Sequence, residues 1–185
     1  MRHAFAIVLV VLATLTIGVR PTASAEQTGP VLVVAIVDVQ KILNESKAAK
    51  GVRATVEKQE AAYQKDIAQR ENALRTADQD LARQRGTLSA EAFNKKRQDL
   101  QKQAETLGRE VQTKRKSLDQ MFQNGMGTVR DTLLKIITDI ATERGATLVL
   151  SKSQVLLAAN EYDVTAEALK RLDAKLPSVA VQVPK

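Results

Sequence analysis

The sequence predicts an α+β protein that is mostly helical, with a small β-containing association body and a long antiparallel coiled-coil helical hairpin as an arm. Three features predict this: an early valine-rich apolar segment, a proline-free stretch with heptad-spaced apolar residues, and a later return to compact-domain composition. The body is predicted to be discontinuous, over 26–46 and 122–176, with the arm inserted at 47–121. A signal peptide at 1–25 and a tail at 177–185 complete the predicted organisation.

The first 25 residues have the layout of a secretory signal peptide. A basic start at Arg2 precedes a nearly uninterrupted apolar run of 16 residues, Ala4 to Val19, and the small-residue site Ala23-Ser-Ala25 follows. A membrane anchor is the alternative, but the run is shorter than the roughly 20 residues that span a bilayer. We therefore expect cleavage after Ala25 and a mature protein outside the cytoplasm.

The mature chain opens with a predicted buried strand. Residues 31–39 read Val-Leu-Val-Val-Ala-Ile-Val-Asp-Val and follow Gly29-Pro30. Dense β-branched residues favour a strand over a short helix of the same length.

The arm is predicted from a proline-free zone between about Gln40 and Gln123. Gly86 is expected to end the first helix in a left-handed conformation, and Ser89 to cap the second, so two antiparallel helices are favoured over one unbroken helix. Apolar residues recur at seven-residue spacing, as in a coiled-coil seam: Ile67, Leu74, Leu81 and Leu88, then Phe93, Leu100 and Leu107, with Ala104, Val111 and Leu118.

A separate helix is predicted after the arm, from Val129 to Ile140, and Gly145 is its expected stop. Residues 147–151 and 155–159 look like two short strands joined as a hairpin through the connector 152–154.

A final helix is expected to be capped by Thr165 and stopped by Pro177. A body with three short strands buries too little surface to be stable as a monomer, which predicts an oligomer.

Composition argues against an enzyme. The chain has no cysteine and no tryptophan, and its single histidine, His3, lies in the predicted signal peptide. No catalytic, metal-binding or phosphate-binding motif is recognisable, so no catalytic residue, metal or cofactor is predicted. Acidic pairs such as Glu57 with Glu60 fit a solvated helix face better than a general acid/base pair.

Positive charge is concentrated in the arm. The chain carries a formal net charge of +7. Between Lys47 and Gln120 there are 17 basic and 11 acidic residues. This excess favours an anionic partner, either acidic polypeptide or anionic lipid. Nucleic acid is disfavoured because the arm offers only Tyr63 and Phe93 for stacking. The candidate contact residues are the clusters Lys95, Lys96, Arg97 and Lys114, Arg115, Lys116.

Two glycines, Gly125 and Gly127, lie where the arm meets the body. Glycine costs a helix about 1 kcal/mol relative to alanine, so the pair suggests a compliant hinge. The alternatives are glycines that are merely tolerated, or close packing against a neighbouring helix.

Two body segments resemble the Skp/OmpH family of periplasmic chaperones: Val34-Ala-Ile-Val-Asp-Val-Gln-Lys-Ile-Leu43, and Leu148-Val-Leu with Asp163-Val-Thr-Ala-Glu-Ala-Leu169. The resemblance extends over about 32–176. It implies a periplasmic homotrimer that holds unfolded outer-membrane proteins between helical arms without ATP. Residues carried over to the trimerising body are Val33, Ile36, Leu148 and Leu150.

The resemblance leaves two further points open. Lipopolysaccharide binding through arm cations is proposed for some members, and Lys114, Arg115 and Lys116 are the nearest candidates without a firm motif match. The tail after Pro177 departs from the family pattern. A structural coiled-coil spacer or tether of the cell envelope is the alternative function.

Overall fold

The computed structural model describes residues 32–182. The predicted signal peptide, the start of the predicted strand and the last three residues of the tail lie outside the described residues. The described elements run in the order β1 (Val34–Val37), α1 (Val39–Glu45), α2 (Lys47–Arg83), α3 (Ala90–Glu143), β2 (Leu148–Ser151) and α4 (Thr165–Lys175). The fold is mostly helical and contains a long helix pair, which confirms the predicted fold class.

The predicted hairpin is formed by α2, of 37 residues, and α3, of 54 residues. Ser89 caps α3 as predicted, since its hydroxyl accepts a hydrogen bond of 3.2 Å from Ala92 N. The predicted left-handed conformation of Gly86 is wrong. Among the described glycines only Gly145 has a positive φ, of 63°. Instead a 3₁₀ turn over Gln84–Gly86 reverses the chain, because the amides of Thr87 and Leu88 both donate to Gln84 O.

Gly145 ends α3 as predicted, but the start and end of neighbouring elements differ from the sequence prediction. The strand β1 is shorter than 31–39, because the side chain of Asp38 accepts a hydrogen bond of 2.8 Å from Lys41 N and starts α1. Buried Ser46 then separates α1 from α2 and caps the latter through Ala49 N. The helix predicted from Val129 is instead the continuation of α3.

The predicted β-hairpin is wrong. β2 pairs in parallel with β1, with Val34 opposite Leu148 and Ile36 opposite Leu150. Residues 152–154 form a 3₁₀ turn and 155–159 form no strand. The other side of β1 is occupied by the chain entering α4, where Val164 N donates to Ile36 O at 2.8 Å. The space beside β1 is therefore already filled.

Thr165 does not cap α4 as predicted, because Thr165 is its first residue and the N-cap position is Val164. Its hydroxyl accepts a hydrogen bond of 2.8 Å from Asp38 N and so ties the start of α4 to the end of β1. The first turn is supported by Asp163 Oδ1, which accepts from Thr165 N at 2.9 Å.

The hydrophobic core lies where the inner end of α3 packs against the sheet, α1, α4 and the first turns of α2. In α2 the buried residues stop at Val52 and do not resume until Leu81. In α3 only Leu107 is buried before Met121. We call the level of Val52 and Gly125 the arm root. The core residues include Ala35, Val37, Ile42, Val52, Met126, Val129, Leu133, Ile136, Ile140, Ala168 and Leu172.

Candidate functional site

A polar cluster joins the two arm helices about halfway along α2. Lys114 Nζ donates a hydrogen bond of 2.6 Å to Asp66 Oδ2 and lies 4.7 Å from the centroid of the Tyr63 ring. One helical turn away, Arg70 forms a bidentate ion pair with Glu110. These contacts fix the register of α2 against α3 where few apolar side chains are buried.

The same contacts favour the ionised carboxylates. The hydrogen bond from Lys114 lowers the pKa of Asp66, and the hydrogen bond from Arg70 lowers the pKa of Glu110. The cluster therefore stays charged over a wider acidic range than isolated carboxyl groups would.

The six predicted arm cations divide into two groups. Lys114 is partly buried and engaged within the arm, whereas the other five are exposed. Of the exposed ones, Lys96 also donates to Gln84 Oε1 at 2.9 Å. The central residues of the two clusters, Lys96 and Arg115, are 19 positions apart along α3. This corresponds to roughly 29 Å. The exposed cations are Lys95, Lys96, Arg97, Arg115 and Lys116.

Open grooves follow the seam between α2 and α3. The first has a volume of about 470 Å³ and combines the side chains of Leu74 and Leu107 with the cations Arg70 and Lys102. Leu100, on the same seam, is only partly buried. The outer arm thus presents scattered apolar surface beside positive charge, with little enclosed space.

Three of the four residues predicted to belong to the association body lie on the β1–β2 pair, and the fourth, Val33, immediately precedes β1. Ile36 is buried and stands opposite Leu150, while Val33 O accepts hydrogen bonds from the amides of Thr147 and Leu148. Leu148 is 39% exposed. The structure brings these four residues, Val33, Ile36, Leu148 and Leu150, together at the sheet.

The 152–163 loop, which leaves β2 and returns beside β1, carries two leucines whose exposure was not predicted. Leu156 and Leu157 on this loop are 103% and 91% exposed. Two adjacent leucines facing solvent are costly unless something covers them. Their apolar character is visible in the sequence, where it predicts part of the short strand 155–159 rather than an exposed loop.

The base of this loop is closed by an ion pair between Lys152 Nζ and Asp163 Oδ2 at 2.6 Å. Partial burial opposes ionisation of Asp163, but hydrogen bonds from Lys152 and Thr165 outweigh it and lower the pKa to about 2. The loop therefore leaves the sheet from a fixed base.

The free edge of the sheet belongs to β2, the strand that leads into this loop. Within the described residues, β2 has a neighbouring strand on one side only, which is β1. Its outer backbone groups are therefore available to pair with another strand. Exposed Leu148 and Val149 lie on this strand.

The two predicted hinge glycines have different surroundings within the continuous helix α3. A Cβ on Gly125 would lie 2.8 Å from Val52 Cγ1, whereas nothing lies within 4 Å of one on Gly127. Close packing thus accounts for Gly125 and leaves Gly127 without a packing reason. The hinge itself remains a prediction.

Two other features are absent from the described part of the chain. No group of three or more His, Cys, Asp or Glu residues is placed to hold a metal ion within 32–182. In the same range, no helix combines the length and apolar character required to cross a bilayer.

Comparison with known proteins gives a family and a fold. The sequence model of the family described as "Outer membrane protein (OmpH-like)" matches residues 33–172. No curated protein matches the chain. A crystal structure from Caulobacter crescentus CB15, described as a candidate OmpH-like outer membrane chaperone, superposes with a TM-score of 0.78 at 21% identity, covering 85% of this chain and 94% of that one.

Proposed function

The chain belongs to the OmpH-like outer membrane protein family, and from this premise we propose that it is a chaperone that captures unfolded outer-membrane proteins without ATP. The Caulobacter crescentus protein with the same fold is described as a candidate OmpH-like outer membrane chaperone, which supports a chaperone role.

The single observation that carries the proposal is the surface of the arm. Beyond Val52 in α2 and before Met121 in α3, the two arm helices bury only Leu81 and Leu107. They expose cations beside partly buried leucines. An unfolded chain offers many weak contact points to such a surface. Many weak contacts give strong overall retention without a shaped pocket. This mode of binding needs no chemical step.

We further propose that the working form is a homotrimer assembled through the sheet. The free edge of β2 and the exposed Leu156 and Leu157 both belong to the body, and only a 3₁₀ turn and Val155 separate them along the chain. A second copy could cover both features, because it brings a strand edge and apolar side chains of the same kind. Assembly at this end would leave the arms free to surround a client. Three copies rather than two is an expectation from the family.

The proposed location is the periplasm, reached by cleavage after Ala25. The amino-acid pattern of residues 4–25 supports this. The mass of the protein purified from the cell envelope tests it, because an uncleaved chain would retain Met1.

The test of function uses residues 26–185 and a urea-denatured outer-membrane β-barrel protein diluted into buffer. We expect the chain to suppress light scattering by the client, and added salt to weaken capture, because exposed charges are screened within about 8 Å at physiological ionic strength. A client that aggregates equally with and without the chain would reject the proposal. It would leave the spacer or tether alternative.

A matched pair of variants locates the contact surface. Replacing Lys95, Lys96 and Arg97 by Gln is expected to reduce capture at low salt. The control replaces three exposed body cations by Gln and so removes the same charge: Arg130, Lys135 and Lys170. Equal loss in both variants would point to net charge rather than to the arm. Vesicles containing anionic lipid, tested with the same two variants, show whether lipid is a second partner.

A further inference from the structure

The tail after α4 returns to the arm root. Val179 and Val181 are partly buried against the hydrophobic core, whereas Ala180 and Gln182 are exposed. Burial therefore alternates with a period of two residues, as expected for an extended chain lying flat on a surface. The family match ends at residue 172, so this segment lies beyond it.

One contact at the arm root involves three elements. A Cβ placed on Gly125 of α3 would lie 2.8 and 3.0 Å from the two methyl groups of Val52 in α2, and 3.3 Å from Val181 Cγ2. These three residues thus meet at a single point. Because glycine has no side chain, both valines can approach the α3 backbone closely.

The position of this contact gives it a mechanical meaning. Val52 is the last buried residue of α2 before Leu81, so α2 and α3 leave the core at this level. A segment bound here adds a third element beside the helix pair, where sideways movement of the arm begins.

The attachment is apolar. Among the described residues, no hydrogen bond joins 177–182 to another element. Contacts of this kind can open locally without unfolding the rest of the chain.

We propose that residues 177–182 form a strap that holds the arm root against the body and limits the swing of the arm. The strap acts on the arm whether or not the arm binds a client. Its removal increases arm movement and leaves the helices intact.

The experiment measures arm movement directly. The chain has no cysteine, so Ala68→Cys and Lys170→Cys give a single pair of spin-label sites, both exposed, one on the arm and one on α4. Labelled protein is diluted into excess unlabelled protein, so that pulsed electron resonance reports distances within one chain. The variants are Val181→Asp, a chain ended after Leu176, and the control Ala180→Asp, which adds the same charge at an exposed neighbour.

We expect Val181→Asp and the shortened chain to broaden the distance distribution. Backbone amides around Val52 and Gly125 should also exchange about tenfold faster. Ala180→Asp should match the parent chain in both measurements. Far-ultraviolet circular dichroism establishes that the variants keep their helices. Val181→Ala replaces Val181→Asp in both measurements if Val181→Asp does not fold. Unchanged distances and exchange in the shortened chain would overturn the proposal.

Discussion

Lys152 and Asp163 form an ion pair at 2.6 Å across the base of the 152–163 loop, so the chain that carries Leu156 and Leu157 begins and ends at one fixed point. Asp163 also accepts from Thr165 N and so supports the first turn of α4. One carboxylate therefore links the loop to the helix that follows it.

Asp163→Asn is expected to destabilise the chain at neutral pH by about 2 kcal/mol, because the pKa of Asp163 is about 2 in the folded state and 3.8 as the ordinary value. A lowered folded-state pKa contributes stability above the ordinary value, and this stability is lost as pH falls through the folded-state value. The difference between the two proteins should thus shrink between about pH 4 and pH 2. Urea unfolding at pH 7 and pH 2.5 measures it, and an equal difference at both pH values would contradict the assignment.

Replacing Leu156 and Leu157 by Asp is expected to weaken self-association, since a charge in a contact that excludes water is unfavourable unless it is paired. Sedimentation velocity across a concentration series should show the parent chain as an oligomer and the variant shifted toward the monomer. The control Ala174→Asp adds charge to an exposed site on α4. If the double variant and the parent sediment alike, the loop is not part of the interface.

The hairpin was predictable because its signals are local. Ser89 caps a helix through its own third neighbour, Ala92, and heptad spacing needs no knowledge of the rest of the chain. The seam residues Leu81 and Leu107, predicted from spacing alone, are the buried residues of the outer arm.

The sheet was harder to predict because its pairing depends on distant residues. β1 pairs with β2 across 114 positions, and the entry to α4 then occupies the other side of Ile36. A local hairpin over 147–159 is compatible with the apolar pattern. That pattern does not show that β2 pairs with β1 instead. For the same reason Leu156 and Leu157 were assigned to a strand.

The role of Lys114 was equally hidden. In the sequence it belongs to a run of three cations, and only the position of α2 reveals its partners Asp66 and Tyr63. A contact between residues 48 positions apart leaves no local signal.

Lys114→Glu is expected to loosen the middle of the arm, because it removes the ion pair and places two carboxylates together. Amide exchange around Asp66 should become faster by on the order of a few-fold at low salt, with a smaller effect at high salt. Lys116→Glu makes the same charge change at an exposed site and should leave this exchange unchanged. The charge-swapped double variant Asp66→Lys with Lys114→Glu restores an ion pair and should slow amide exchange around position 66 again. Failure to recover would mean that the effect comes from lost packing on Tyr63.

Alanine substitutions at Gly125 and Gly127 are expected to change stability in opposite directions. Gly125→Ala is expected to destabilise by about 1 to 3 kcal/mol, because its Cβ would lie 2.8 Å from buried Val52 and the core must shift. Gly127→Ala meets nothing within 4 Å and should stabilise α3 by about 0.5 to 1 kcal/mol. Thermal unfolding of the two variants measures both signs.

Stability alone does not distinguish a hinge from a tolerated glycine, so Gly108→Ala provides the comparison. Gly108 also lies in α3 with nothing within 4 Å, and its substitution should raise stability by a similar amount. If Gly127 is a hinge, Gly127→Ala alone should narrow the distance distribution between labels at positions 68 and 170 and reduce the range of client sizes held. Equal distributions for the Gly108 and Gly127 variants would mean that α3 bends no more readily at position 127 than at position 108.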